Sequence, residues 1–234
     1  MKRFFDKLYK GSKEDFLFTV KGNLNDEQRM FIVTANPEAF MFGEKDAEVE
    51  SLLLDEATTV VADGIGIVKG GKKIGIEIDE RIPGIDIAEQ LLSFGSELKK
   101  TVFFLGAKQE VIDALCRVVE EKYQGLTVVG AINGYVEDKD AAFEQIKEAK
   151  PDIILVALGI PAQEKLIYKH LKAFDKGIFV GVGGSFDVLS GTKERAPKFF
   201  IDHNLEWLYR ITKEPSRLKR FYNSNVKFLL KLKK

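Results

Sequence analysis

Residues 153–187 read IILVALGIPAQEKLIYKHLKAFDKGIFVGVGGSFD, and this stretch decides the class of fold. The apolar runs at 153–158 and 177–182 have the length and composition of buried strands, and the segment 162–174 between them has helical periodicity. A strand, a helix and a second strand in this order predict a βαβ unit whose two strands are parallel.

The same alternation precedes this unit. Further strands are predicted at 31–34, 59–62, 101–105 and 127–130, and further helices at 47–57, 86–100, 108–123 and 139–150. Ser12 and Asp15 have the spacing of a capping box, which predicts a helix over Phe16–Leu24 in spite of the β-favouring residues FLFTV. The whole pattern predicts an α/β fold with a Rossmann-like, mainly parallel sheet flanked by helices.

The alternation stops near Ala196, and two helical stretches follow, at 204–212 and from residue 216 to the end, with Pro215 between them. The sequence therefore predicts an α/β body, residues 1–195, and a C-terminal basic helical appendage, residues 196–234. Since all predicted strands precede the appendage, we expect the body to fold without it. In the last helix we expect one apolar face, formed by Leu218, Phe221, Tyr222, Val226, Leu229 and Leu232.

The formal net charge of zero conceals a division between the two parts. From Trp207 onward there are nine basic residues and one acid, a net charge of +8, so residues 1–206 carry −8. A basic segment behind an acidic body predicts an anionic partner for that segment, which is a lipid head group, a diphosphate or a nucleic acid.

Composition argues against several classes of protein. The single cysteine, Cys116, lies among apolar residues and is expected to be reduced, and no run of about eighteen apolar residues or signal peptide is present, so we expect a cytoplasmic chain. Two histidines, His170 and His203, and one cysteine are too few for a zinc cluster. The dinucleotide fingerprint, the P-loop and a D-x-D pair in the candidate site are absent, so no cofactor and no metal ion are predicted.

Four polar or glycine-rich segments follow predicted strands, at residues 34–37, 63–66, 159–164 and 181–187. Ligands of open α/β sheets bind beyond the carboxyl ends of the strands, so these segments are the first candidates for a site. Taken singly, each is also explained as a tight turn or a helix cap.

Seven motifs, in order along residues 12–220, resemble those of the TagA/WecG/CpsF glycosyltransferases. They are TAN (34–36), ADGIG (62–66), RIPGID (81–86), LGIPAQE (158–164), GVGGSFD (181–187), RAP (195–197) and LEWLYR (205–210). One position departs from the family, which usually has Lys or Arg where Ala162 stands.

The resemblance implies inverting transfer of N-acetylmannosamine or a related sugar from a UDP donor to polyprenyl-diphosphate-linked N-acetylglucosamine, in the synthesis of wall teichoic acid or surface polysaccharide. It implies that Asp63 is the catalytic base, the alternative being a turn or capping Asp. The substrate-binding residues that it implies are Thr34, Asn36 and Gln163 for sugar, acetamido and uracil groups, Arg81 for phosphate, and Gly183 and Gly184 as backbone donors to the nucleotide. Thr34, Asn36 and Gln163 are equally suited to turns and caps, Arg81 to a surface ion pair, and Asp187 to bracing the glycine turn.

The appendage is implied to complete the site, with Arg210, Arg217 and Arg220 converging on a diphosphate, and to hold the protein at the inner face of the cell membrane through an anionic lipid surface. A solvated basic face is the alternative. Three rival hypotheses remain: a transferase with a soluble acceptor, a protein that binds nucleic acid through its basic segment, and a last helix that dimerises the chain. The acidic body and the lack of a reading motif argue against nucleic acid as a partner.

Overall fold

The computed structural model describes residues 1–232 and contains one six-stranded, all-parallel sheet. The strands lie in the order β2-β1-β6-β5-β3-β4. Their bounds are β1 Arg29–Ala35, β2 Thr58–Ala62, β3 Thr101–Gly106, β4 Thr127–Ile132, β5 Ile153–Ala157 and β6 Gly177–Gly181. All six predicted strands and the predicted fold class are confirmed.

The predicted helices of the body are confirmed within a few residues, and short ones that the sequence analysis did not predict accompany them. In chain order the helices up to the last strand are α1 Lys2–Lys7, α2 Lys13–Asn25, α3 Pro37–Gly43, α4 Ala47–Leu54, α5 Ile65–Lys73, α6 Gly84–Glu97, α7 Gln109–Lys122, α8 Lys139–Ala149 and α9 Ala162–His170, which continues into a 3₁₀ turn, Leu171–Ala173. Those after β6 are α10 Ser185–Leu189, α11 Lys198–Asp202, α12 Glu206–Lys213, α13 Arg217–Phe221 and α14 Lys227–Lys231, with a π-helical turn, Tyr222–Val226, before α14. The capping Ser12 accepts a hydrogen bond from the amide of Asp15 at 3.0 Å.

Helices cover both faces of the sheet, as a parallel sheet with two apolar faces requires. One core contains residues of α1, α3, α4, α5, α8, α9 and α14, and the other contains residues of α2, α6, α7 and α10. Between β2 and β3 the chain crosses from one edge of the sheet, past β1, β6 and β5, to the strand next to the opposite edge. In open α/β sheets, ligands bind beyond the carboxyl ends of the strands where the strand order reverses, so this edge is the place to look for a site.

The last helix differs from the prediction of one continuous helix with an apolar face. Leu218 and Tyr222 of that expected face are 58% and 52% exposed, whereas Phe228, which was not assigned to it, is fully buried. Ser224, Phe228 and Leu232 are all buried and lie four residues apart, so they form the buried face of this segment, and Leu218 and Tyr222 lie off it. Of the basic residues counted from Trp207 onward, Lys233 and Lys234 lie outside the described residues.

Phe228 anchors the last helix in the body. Its ring lies 6.1 Å from the ring of Phe5 and 6.2 Å from that of Phe40, measured between centroids. The Phe228 ring packs against Gly70 of α5. If residue 70 had a side chain, its Cβ atom would lie only 2.8 Å from the Phe228 ring. Glycine at this position therefore lets α14 pack directly on the backbone of α5, and the C-terminal segment contributes to the core of the body.

Candidate active site

Asp63 lies at the carboxyl edge of the sheet, directly after β2. Its amide donates to the carbonyl of Ala35 at the end of β1 at 2.8 Å, which keeps the two strand ends together. Gly64 follows with a φ of 83°, a left-handed conformation that favours glycine and turns the chain into α5. Gly84 lies close to the end of β1. If residue 84 had a side chain, its Cβ atom would lie 3.2 Å from the hydroxyl oxygen of Thr34. The ends of β1 and β2, with Thr34 and Asp63, therefore lie side by side at this edge.

The surroundings of Asp63 disfavour its charged form. Burial raises the pKa of Asp63 from its ordinary value of 3.8 to about 6, against the positive charges of Arg210 and Arg81, which lower it. The negative charge of Glu206 raises this pKa further, and the backbone N–H of Gly84 lowers it. A carboxylate of this kind is ionised at pH 7 and is more basic than a solvated aspartate, as proton abstraction requires.

Arg81 forms an ion pair, as the alternative hypothesis stated, but the pair is largely shielded from solvent and its partner is on the C-terminal segment. Its guanidinium donates to Glu206 at 2.7 Å and to the carbonyl of Ile201 at 3.3 Å. Glu206 is 8% exposed and also lies 3.9 Å from Arg195, which in turn pairs with Asp86. Glu206 lies within the LEWLYR motif but is not among the functional residues predicted from the sequence. An acid at the start of an otherwise basic segment was the available signal.

Thr34 and Asn36 occupy the end of β1, and each has a partner within the protein. Thr34 is 6% exposed and donates a long hydrogen bond, 3.4 Å, to the carbonyl of Gly181. The side-chain oxygen of Asn36 caps α3, accepting from the amides of Glu38 at 2.9 Å and Ala39 at 3.0 Å. The side-chain oxygen of Asn36 therefore acts as a helix cap, which is the alternative role considered for this residue.

Gln163 is buried and fully engaged by neighbouring groups. Its side-chain oxygen accepts from the amides of Gly159 at 3.0 Å and Gly183 at 3.1 Å, and its nitrogen donates to Glu164 at 2.8 Å. In this structure the Gln163 side chain braces two turns, and the Gly183 amide is one of its two donors. The predicted contacts of Gln163 with the sugar or uracil and of Gly183 with the nucleotide stay predictions.

Glu164 is a second residue that the sequence analysis missed, although it lies within the LGIPAQE motif. Its side chain is buried, and one carboxyl oxygen, Oε2, has no hydrogen-bond partner within residues 1–232. Burial raises the pKa of Glu164 from 4.5 to about 7, the hydrogen bond from Gln163 lowers it, and the charge of Glu38 raises it. A buried carboxyl with an unsatisfied oxygen is an unusual feature, and no sequence pattern marked it.

The three arginines of the C-terminal segment lie in different places. Arg210 is close enough to Asp63 to lower its pKa. Arg220 makes a two-pronged ion pair with Glu38, at 2.8 and 2.9 Å, next to the Asn36 cap. Arg217 instead donates to Glu214 of its own segment at 2.6 Å. Arg210 thus lies near Asp63 and Arg220 is paired with Glu38, whereas Arg217 is held by a local partner, and the convergence of the three on a diphosphate stays a prediction.

The remaining expectations concern Asp187, metal ions and the membrane. The Asp187 carboxylate lies 3.7 Å from Lys193, and the Asp187 carbonyl accepts from the Lys193 amide at 2.8 Å, so Asp187 holds the turn after α10, and its bracing of the glycine turn stays a prediction. Within residues 1–232, no group of three or more His, Cys, Asp and Glu side chains is arranged to hold a metal ion. No helix in the described part of the chain has both the length and the apolar character needed to cross a membrane.

Comparisons with known proteins give a consistent result. A family model described as "Glycosyl transferase WecG/TagA/CpsF family" matches residues 6–234. A Bacillus spizizenii protein named N-acetylglucosaminyldiphosphoundecaprenol N-acetyl-beta-D-mannosaminyltransferase is 40% identical over 197 residues, which cover 84% of this chain and 76% of that protein. A Bacillus subtilis protein of the same name is 38% identical over 189 residues, which cover 81% of this chain and 73% of that protein. A Staphylococcus aureus protein of the same name is 35% identical over 207 residues, which cover 88% of this chain and 80% of that protein. The chain therefore belongs to the WecG/TagA/CpsF family of glycosyltransferases.

Proposed function

We propose that this protein transfers N-acetylmannosamine or a closely related sugar, with inversion, from its UDP donor to N-acetylglucosamine on a polyprenyl diphosphate. The observation that carries the proposal is the position of Asp63, a half-buried carboxylate at the carboxyl edge of the sheet that is within electrostatic reach of Arg81 and Arg210. A base next to guanidinium groups is what a sugar transfer from a nucleotide diphosphate needs. The names of the relatives support the same acceptor and sugar.

The proposed chemistry is a single displacement. The Asp63 carboxylate takes the proton of the acceptor hydroxyl while that oxygen forms a bond to the anomeric carbon of the donor sugar. The bond between the anomeric carbon and the diphosphate oxygen breaks on the opposite face, and UDP leaves with the electron pair. Arg81 and Arg210 neutralise the charge that develops on the diphosphate.

The other predicted site residues keep supporting roles in this proposal. Thr34 and Asn36 line the end of β1, where the sugar and its acetamido group bind. Gln163 and Gly183 shape the turns beside the nucleotide, and Gly184 offers its backbone to it. No cofactor and no metal ion are invoked.

The C-terminal segment also carries the proposed contact with the membrane. Its exposed apolar side chains are Phe199, Trp207, Leu208, Leu218, Tyr222 and Leu230. The ring of Trp207 is stacked on that of Phe221, with 4.4 Å between centroids, in a surface that also carries exposed basic residues. Each basic residue near an anionic bilayer adds about 1 kcal/mol of attraction, so this surface suits a peripheral protein at the inner face of the cell membrane.

The decisive experiment offers the protein a panel of UDP-sugars together with a lipid-diphosphate N-acetylglucosamine. Release of UDP coupled to a lipid-linked disaccharide, highest with UDP-N-acetylmannosamine, is the expected result. A soluble N-acetylglucosamine acceptor and salt-dependent retention on nucleic acid serve as parallel arms. Equal transfer to the soluble acceptor would replace the lipid acceptor in the proposal, and nucleic-acid binding without any UDP release would refute the transferase function.

Arg220→Ala is expected to lower kcat/KM about tenfold to a hundredfold, the effect of losing one charge-assisted hydrogen bond, and to weaken binding to anionic vesicles only about fivefold. Arg217→Ala is expected to act in the same direction but less strongly, since Glu214 holds that side chain. Turnover on a lipid-linked acceptor and co-sedimentation with vesicles measure the two effects. Lys219→Ala, an exposed change on the same helix, is the control and should affect vesicle binding alone. Proportionate losses in both assays would make Arg220 a membrane contact only.

Glu206→Gln is expected to move the acid limb of the pH profile of kcat/KM to lower pH. The charge of Glu206 raises the pKa of Asp63, so a neutral amide of the same shape lets that pKa fall. The profile reports the pKa of the free enzyme and does not depend on the fraction of protein that is active. Glu214→Gln is the matched control, because that residue pairs with Arg217 and Lys193 instead. An acid limb that stays in place in Glu206→Gln would mean that Asp63 does not govern it.

A further inference from the structure

The buried carboxyl of Glu164 has no part in the mechanism above, although it lies one residue from Gln163. The side chain is 3% exposed, so it cannot reach a substrate directly. One of its oxygens accepts from the side-chain nitrogen of Gln163 at 2.8 Å, and the other has no hydrogen-bond partner within residues 1–232. Burying an acid with an oxygen left unsatisfied costs free energy, so the site calls for an explanation.

The orientation of the Gln163 amide follows from its partners. Gly159 and Gly183 both offer a backbone N–H, so the amide oxygen must be the atom that faces them. The amide nitrogen then points the other way and needs an acceptor. The carboxyl of Glu164 supplies it, and with this acceptor in place the amide is held from both ends.

The braced amide connects the ends of two neighbouring strands. Gly159 follows β5 with a φ of 81°, and Gly183 follows β6 with a φ of 49°, so both turns use left-handed conformations. Gly181 lies against the same amide, because a Cβ atom there would approach the Gln163 nitrogen to 2.6 Å. The position of the turn at Gly183 and Gly184 is therefore tied to the orientation of a single side chain.

We infer that Glu164 is a positioning residue for the UDP-sugar: it holds the Gln163 amide in the one orientation that fixes the turn at Gly183 and Gly184 next to the nucleotide. This inference rests on the proposed function, because the nucleotide is its ligand. It adds a residue that acts through Gln163 and touches no substrate. The inference also explains why a carboxyl group is buried here, because one of its oxygens is needed to accept the hydrogen bond from Gln163.

The test compares Glu164→Ala, which removes the acceptor, with Glu164→Gln, which keeps one. In Glu164→Ala we expect the Gly159 and Gly183 amides to exchange with solvent at least about fivefold faster, since their common acceptor is no longer held. We expect UDP affinity, measured by calorimetry, and the KM for UDP-sugar to worsen about tenfold, with kcat and the KM for the lipid acceptor changed less. Glu164→Gln should restore most of both effects. Glu148→Ala, an exposed acid on α8, is the control.

A double-mutant comparison separates positioning from general stabilisation. If Glu164 acts through Gln163, adding Glu164→Ala to Gln163→Ala has no further effect on UDP affinity. Unchanged exchange of the Gly183 amide in Glu164→Ala would overturn the inference, and so would faster exchange with unchanged UDP affinity. Failure of the proposed function looks different, because the wild-type protein itself then transfers no sugar from any UDP donor. In that case the role of Glu164 in nucleotide positioning falls with it, whatever the exchange rates.

Discussion

Asp63→Asn is expected to lower kcat/KM about a hundredfold to ten-thousandfold, which is the usual cost of losing a general base. The amide has nearly the shape of the carboxylate, so substrates still bind, but it cannot accept the proton of the acceptor hydroxyl. Steady-state transfer to the lipid-linked acceptor measures the loss, and calorimetry with UDP checks that donor binding is retained. Asp79→Asn, an exposed change two residues before Arg81, is the control and should leave turnover unchanged. Activity of Asp63→Asn within about threefold of wild type would remove Asp63 from this role.

The raised pKa of Asp63 also leads to a prediction about stability, which is independent of the activity measurement. In the folded protein Asp63 binds its proton up to about pH 6, whereas in the unfolded chain it loses the proton near its ordinary value of 3.8. The contribution of Asp63 to the stability of the wild type therefore falls as pH rises from about 4 to about 6, and this cost persists at higher pH. Asp63→Asn lacks this cost, so its melting temperature at pH 7 should equal or exceed that of the wild type. A marked loss of stability at pH 7 would show that Asp63 has a structural role instead.

Phe228→Ala is expected to lower the free energy of unfolding by about 3–5 kcal/mol, the typical cost of removing a fully buried phenylalanine. The ring fills the space between Phe5, Phe40 and the backbone of α5, and no neighbour can fill that space without moving a helix. Urea unfolding followed by circular dichroism measures the change. Leu230→Ala, two residues further along, is the control, because that side chain is 71% exposed and should change stability by less than about 0.5 kcal/mol.

This result also bears on the division into a body, residues 1–195, and an appendage, residues 196–234, which stays a prediction. The sequence suggested that the body folds alone, since every strand precedes residue 196. The burial of Phe228 and Leu232 leads us to expect that the segment is needed for full stability of the body. If Phe228→Ala unfolds at the same urea concentration as Leu230→Ala, the segment is detachable after all and the sequence-based expectation holds.

Much of the fold and part of the site were predictable from the sequence because they depend on neighbouring residues. Short apolar runs and amphipathic segments are local patterns, so all six strands and the longer helices of the body could be predicted from them. Asp63 could be singled out in the same way, since it directly follows β2 and precedes glycine. The missed helices α3, α5 and α10 are short and follow strand ends, where their polar and glycine residues indicated turns.

The partners of the site residues were decided only by the tertiary structure. Arg81 meets Glu206 across 125 positions of the chain, and Gln163 joins glycines that follow two different strands. The packing of the last helix against Phe5, Phe40 and Gly70 decided that Phe228, and not Tyr222, enters the core. Periodicity depends on residues a few positions apart, so a sequence carries it directly. Ion pairs, braced turns and helix rotation depend on how distant segments pack, so only the folded chain shows which charges are paired and which side chains the site can use.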